Sequence, residues 1–334
     1  LNALERHWFA SDSNGLRSWV LAAATALLAT TLLQAFGWVD LSGSFYLTES
    51  LPIAGTIIGG LMFGIGMALV GTCGFGAIVR MGGGNMRALV VLTGIALAAI
   101  AAQRGLTAHV RQLVIDPLSL DLTTLGAPHP GSFLIVGTGM GVAMVVGLAF
   151  AAVLMGWVLS DGGFRSDRGK LLSGLVIGLC IAAGWFITYQ FSIISFDPVQ
   201  LEAGSFVAPV GDSILQIITV TGATPDYGVG LVAGVFIGAA FAAWRADDMR
   251  WEACDDAREL GRHLLGAFLM GTGGVFALGC TVGQGISAVS VMAFSAPLAI
   301  ASIVFGARIG LGWLIEGSAF GFLKINAKAS TPAE

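Results

Sequence analysis

The sequence predicts an all-α polytopic membrane protein with about 8–9 transmembrane helices. They form two inverted-topology repeats with short re-entrant half-helices meeting near the centre. Three observations predict it. Of 334 residues, 56% are hydrophobic and 11% charged, against about 25% charged in a soluble domain. The apolar residues fall in runs of about twenty, the length that crosses a bilayer core. The 49 glycines, about twice the usual share, lie inside these runs, where small residues let membrane helices approach closely. A net charge of -4 and the lack of any basic arm exclude nucleic acid as a partner. Mean hydropathy of +0.86 excludes disorder.

The expected spans are 18–38, 51–72, 86–104, 132–160, 170–191, 227–245, 262–280 and 291–308, with 310–323 as a weaker ninth. They lack the alternation of barrel strands and so are read as helices. The first run, Ser18 to Trp38, is too long for a cleaved leader and lacks its small-residue exit, so it is expected to be retained. Segments 105–131 and 192–226 are proline-rich external connections. Residues 245–262 carry both signs of charge and read as a solvated cytoplasmic loop or helix. Glu316 places 310–323 at the interface or beside a helix-lined cavity.

With the N-terminus inside, fourteen Lys and Arg lie in cytoplasmic loops. Only Arg104 and Arg111 lie outside. This positive-inside bias predicts a multi-pass inner-membrane protein in a lipid bilayer with both termini cytoplasmic, built as one membrane domain of two halves, 1–160 and 161–334.

Shifting the chain by 207 residues places Gly59, Gly64, Gly66, Cys73 and Gly76 on Gly266, Gly271, Gly273, Cys280 and Gly283. The helix before Cys73 runs inward and the one before Cys280 outward, so the repeats are inverted. Glycine-broken helices at equivalent positions of inverted repeats point to a central substrate path. Glycine permits a sharp turn and close approach of a solute, and exposed N–H groups attract anions. A thiol adds a weak S–H donor and a soft sulfur. The expected path residues are therefore Cys73, Cys280, Gly74, Gly76, Gly279, Gly283, Thr72 and Thr281. Gln284 joins them as a polar residue in an apolar setting, and Arg80 as a nearby positive charge. Together they suit a soft, sulfur-containing anion. Gly64/Gly66 and Gly271/Gly273 read as helix-packing positions. Cys180 reads as a small buried hydrophobe and Cys254, in the charged loop, as an incidental thiol. No cysteine or histidine spacing forms a metal or haem site, and no phosphate-binding P-loop is present. No cofactor is expected.

Residues Gly59 to Gly84 and Gly266 to Ser290 resemble the YeeE/YedE family of membrane proteins. The family motifs read here as Phe63-Gly64-Ile65-Gly66 through Arg80, Gly82, Gly84 and Asn85, then Met270-Gly271 through Ser287 and Ser290. Ser205-Phe206-Val207-Ala208-Pro209 is also similar. The resemblance implies uptake of thiosulfate or a related sulfur or selenium species through an hourglass-shaped protein with two re-entrant loops. It implies passage along cysteine thiols, with Cys73 and Cys280 as the motif pair, and, in some members, a TusA-like cytoplasmic sulfur carrier. Some members have a further cysteine near the start of the chain. Here no cysteine precedes Cys73, and Cys180 is the candidate third thiol if its helix face points to the path. The reading is a transporter, not an enzyme. The alternative is a membrane sulfurtransferase in which Cys73 forms a persulfide and passes sulfur to a cytoplasmic carrier.

Overall fold

The computed structural model describes residues 1–47, 50–121, 140–196, 198–220, 226–252 and 256–317. Its helices are α1 (Asn2–Phe9), α2 (Asn14–Ala35), α3 (Ile53–Val70), α4 (Gly74–Gly82), α5 (Met86–Arg104), α6 (Leu106–Val110), α7 (Met140–Leu159), α8 (Gly162–Ser166), α9 (Arg168–Ile194), α10 (Ala208–Ile218), α11 (Tyr227–Arg245), α12 (Ala257–Phe276), α13 (Ala288–Ser290) and α14 (Ser295–Glu316). A π-turn, Gly283–Ser287, leads directly into α13. One antiparallel ladder pairs β1 (Ser50–Leu51) with β2 (Leu120–Asp121), Ser50 opposite Asp121.

The helices α2, α5, α9, α11 and α14, together with the stretch Ile53–Gly82, are long and apolar enough to cross a membrane. With α7 and α12 they fall on the eight expected runs. The chain is an all-α polytopic membrane protein. Two boundaries differ from expectation for clear reasons. Helix α12 starts at Ala257, not 262, because its charged first turns line a cavity described below. No separate segment begins at Gly310, since α14 continues to Glu316 and ends on Gly317 in the left-handed conformation, φ 66°. The remainder of 310–323 and Cys254 lie outside the described residues.

Helix starts are set by short polar side chains that accept from orphan N–H groups of the first turn. Asn85 accepts from Ala88 at 3.1 Å, Asp167 from Lys170 at 3.2 Å and Asp226 from Val229 at 2.9 Å. The loop after α11 folds back on the α4–α5 turn. There Arg250 N–H donates to Gly83 O at 3.0 Å and Met86 N–H to Glu252 O at 2.9 Å.

At the centre, α3 packs on α12 and α14, and α12 packs also on α5. In lipid the hydrophobic effect does not drive helices together, so dispersion and close backbone approach must do so. Glycines supply that approach. A Cβ at Gly59 would lie 2.6 Å from Gly273 O, and one at Gly273 2.6 Å from Gly59 O. Gly64 abuts Ile303 and Ala307 of α14. At its register partner Gly271 a Cβ would lie 2.5 Å from Ile95 O and 3.1 Å from Ala99 N of α5. The Gly64/Gly66 and Gly271/Gly273 pairs thus occupy packing positions.

Candidate functional site

Both long central helices end in the same way. After α3 the chain turns at Gly71 with φ 79°, and Cys73 follows in extended conformation (φ -91°, ψ 174°) as the N-cap of α4. After α12 the turn is at Leu278, φ 56°, followed by Gly279 at φ 153°. Cys280 then precedes helical residues 281–290. Gly71 and Leu278 are 207 residues apart, the repeat shift. A left-handed leucine costs about 1–2 kcal/mol, and bonds around it offset the strain. Gln284 Nε2 donates to Ala277 O at 2.8 Å and Leu278 O at 3.2 Å, while its Oε1 accepts from Ser295 Oγ at 3.1 Å. Gln284 is fully buried and lines neither cavity described below. Its amide closes the carbonyl end of α12.

Cys280 is buried among backbone donors. Gly283 N–H points to its sulfur at 3.4 Å, and the N–H groups of Val282 and Phe206 are also directed at it. Gly283 must be small, because a Cβ there would come within 3.0 Å of Tyr46 Oη and 3.3 Å of Ser205 Oγ. Tyr46 bonds Ser205 and sets its ring edge-on to Trp185 at 6.2 Å. Trp185 Nε1 donates to Ser290 Oγ at 2.9 Å, and Ser287 Oγ donates to Gly204 O at 2.8 Å. Every buried polar group named here has a partner, which rigidifies the turn.

Cys73 is half-buried and packs against the same core as Cys280. Gly76 abuts Thr72 Oγ1, leaving no room for a side chain, and a Cβ at Gly74 would stand 3.3 Å from Phe206 O. Phe75 meets Phe206 with ring centroids 5.0 Å apart. Phe206 therefore touches both cysteine turns. Arg80 Nη2 donates to Gly71 O at 3.3 Å, which caps the end of α3.

Two cavities approach this cluster. The wider, about 860 Å³, has Arg104, Arg111, Glu202, Asp212 and Asp226 in its wall and reaches Ser205, Leu278 and Gly279. Burial, reinforced by Asp226 and Asp212, pushes the Glu202 carboxyl up to about 7 against an opposing N–H of Gly228. Asp212 is raised by burial and Asp226, with Arg104 opposing. The narrower, about 250 Å³, is lined by Thr72, Arg80, Arg87, Glu252, Glu259, Arg262 and His263. There Glu259 holds Arg87 at 2.8 Å and His263 Nε2 at 3.3 Å.

Of the expected path residues, Gly279 lines the wide cavity, and Thr72 and Arg80 line the narrow one. Cys73, Gly74, Gly76, Cys280, Thr281, Gly283 and Gln284 line neither and fill the space around the turns. Cys180 is exposed on α9, not buried as expected, and it lines neither cavity. Among the described residues no group of His, Cys, Asp and Glu is arranged to hold a metal. Sequence reasoning passed over Tyr46, Trp185 and the ring of Phe206 as site residues. Their signal was present only as aromatic residues beside the acidic or motif-bearing connections.

Comparison with known proteins adds to this geometry. The profile of a family described as Sulphur transport matches residues 1–309. The thiosulfate transporter TsuA of Spirochaeta thermophila is 24% identical over 329 residues, covering 89% of this chain and 86% of that protein. The thiosulfate transporter TsuA of Escherichia coli is 24% identical over 306 residues, covering 87% and 83%.

Proposed function

The chain belongs to the sulphur transport family, and from that premise we propose that it imports thiosulfate or a related reduced sulfur anion, past Cys280 and then Cys73, without chemical conversion. The observation that carries this reading is that the two cavities end on residues flanking the two thiols. Gly279 precedes Cys280 in one wall and Thr72 precedes Cys73 in the other. A soft anion leaving the wide cavity meets a sulfur already surrounded by N–H donors, the kind of group that stabilises negative charge in a dry setting.

The contacts of Gly59 with Gly273 and of Gly66 with Gly266 are reciprocal in the repeat register, as a pseudo-two-fold axis between inverted repeats requires. They support the division into halves 1–160 and 161–334 and a role for the segments after Cys73 and Cys280 as re-entrant half-helices. Taken with the positive-inside count, the wide cavity faces outward in the inner membrane and the narrow one inward, with both termini cytoplasmic. Arg104 and Arg111, the two outward basic residues, then stand in the wall of the entry cavity. They offset Glu202, Asp212 and Asp226, which repel an anion. Entry of a dianion opposes the membrane potential by about 2.3 kcal/mol per charge per 100 mV, so removal of the product inside, for which a TusA-like carrier is suited, sustains uptake.

The test is uptake of sulfur-labelled thiosulfate into proteoliposomes by wild type, Cys73→Ala and Cys280→Ala, followed by intact-mass measurement. Loss of uptake in both variants with no added mass on the wild type is expected. Undiminished uptake in both would remove the thiols from the path. A stable gain of one sulfur on Cys73 with sulfite released would replace transport with sulfur transfer.

A further inference from the structure

The wide cavity stops at Ser205, Val207 and Gly279, and the narrow one at Thr72. Phe206 lies against both turns on which they end, touching Gly74 beside Cys73 and the sulfur of Cys280. Phe206 is buried, at 4% exposure, in the connection between α9 and α10, and its three groups face three ways. Its N–H is directed at Cys280 Sγ. Its carbonyl oxygen lies against Gly74, the residue after Cys73. Its ring lies 5.0 Å from that of Phe75, tilted 56°. The backbone of this residue thus contacts both turns while its ring packs on that of Phe75 within the apolar core.

Resting on the transport reading above, we propose that the Phe75–Phe206 ring pair is the gate between the two cavities and that it selects the transported anion by the cost of shedding water. A hydrophobic constriction closes by excluding water, and an ion crossing it gives up hydration in proportion to how tightly that hydration is held. The four oxygens of sulfate are hard and strongly hydrated. Thiosulfate carries in place of one oxygen a larger, polarizable and weakly hydrated sulfur, which enters such a constriction first at lower cost. The edge of an aromatic ring is positive, so rings that swing edge-on offer that sulfur a weak contact, while the Phe206 N–H and the thiols supply the next one. Phe206 is therefore the specificity-determining residue and Phe75 its partner.

Paired uptake of labelled thiosulfate and labelled sulfate by proteoliposomes tests this, comparing wild type with Phe206→Ala, Phe206→Leu and Phe75→Ala. Removing either ring is expected to lower the thiosulfate-to-sulfate ratio about tenfold, a barrier change of roughly 1.4 kcal/mol, chiefly by admitting sulfate. Phe206→Leu keeps most of the ratio. If Phe206→Ala does not fold, Phe75→Ala, whose ring is only half-buried, decides. Folded variants in which both anions slow together at a constant ratio would show a structural role alone and overturn the gate. Wild type that takes up sulfate as fast as thiosulfate would overturn the gate and leave transport standing, whereas wild type that takes up neither would remove the transport reading itself.

Discussion

Gly66 of α3 and Gly266 of α12 press backbone on backbone, so that a Cβ at Gly66 would lie 2.5 Å from Gly266 O and one at Gly266 2.9 Å from Gly66 O. With Gly59 against Gly273, the contact holds the two cysteine-bearing segments together.

That closeness predicts a contrast between glycines. Gly66→Ala or Gly266→Ala overpacks a backbone contact and is expected to cost about 1–3 kcal/mol. Gly230, Gly234 and Gly238 on α11 have nothing within 4 Å of an added Cβ, so alanine there is neutral or stabilising by up to about 1 kcal/mol. Thermal unfolding of the detergent-solubilised protein checks both arms. Equal effects in the two groups would contradict the packing described.

Gln284 predicts a second loss. Its Nε2 closes the carbonyls of Ala277 and Leu278, and Gln284→Leu leaves the buried Ala277 carbonyl and the part-buried Leu278 carbonyl without that donor. About 1–3 kcal/mol of stability is expected to go with it, together with thiosulfate uptake, because Leu278 and Gly279 form the turn that presents Cys280. A variant that unfolds normally and transports normally would show that the turn holds without the amide.

Glu202 predicts a pH dependence whose sign follows from its surroundings. Burial raises its carboxyl from the usual 4.5 to about 7, so the folded protein binds a proton that the unfolded chain has already lost between these values. Stability from this group is complete below about 4.5 and declines as pH rises through about 7. Asp212, raised by burial and Asp226, adds in the same direction. Unfolding temperatures measured across this window are expected to fall with pH, and Glu202→Gln is expected to flatten the slope. An unchanged slope in that variant would assign the dependence elsewhere.

Cys180 and Cys280 predict opposite tolerance. Cys180 is exposed on α9, and Cys180→Ala is expected within about 0.5 kcal/mol of wild type with uptake intact. Cys280 is enclosed by N–H donors that alanine leaves without an acceptor, so Cys280→Ala is expected to abolish uptake. Labelled-thiosulfate uptake by the two variants side by side decides, and loss in Cys180→Ala would bring a third thiol back to the path.

How far the sequence reached can be judged residue by residue. Hydropathy placed α2, α5, α9, α11 and α14 because a bilayer imposes a length that a local window can read. The self-match at 207 residues singled out Cys73 and Cys280 and led to the expectation of a sharp turn at the glycines beside them, but not of the left-handed turn at Leu278, since leucine carries no turn signal of its own. Arg104 and Arg111 were noted as the outward basic pair. That both stand in one cavity wall depends on how α5 and the segment after α6 fold together.

The membrane class, the helical runs, the glycine spacing and the two thiols could be read along the chain, because each is written in neighbouring residues or in a repeat. Which residues gather around the thiols came from the packing of distant segments. Phe206 arrives from the connection before α10, Tyr46 from the loop after α2, and Gln284 turns its amide away from the cavities to the end of α12. The placements of Phe206 and Tyr46 rest on contacts between segments more than a hundred residues apart, as from Phe75 to Phe206, and such contacts leave no period or local composition from which to read them; that of Gln284 rests on the local turn geometry.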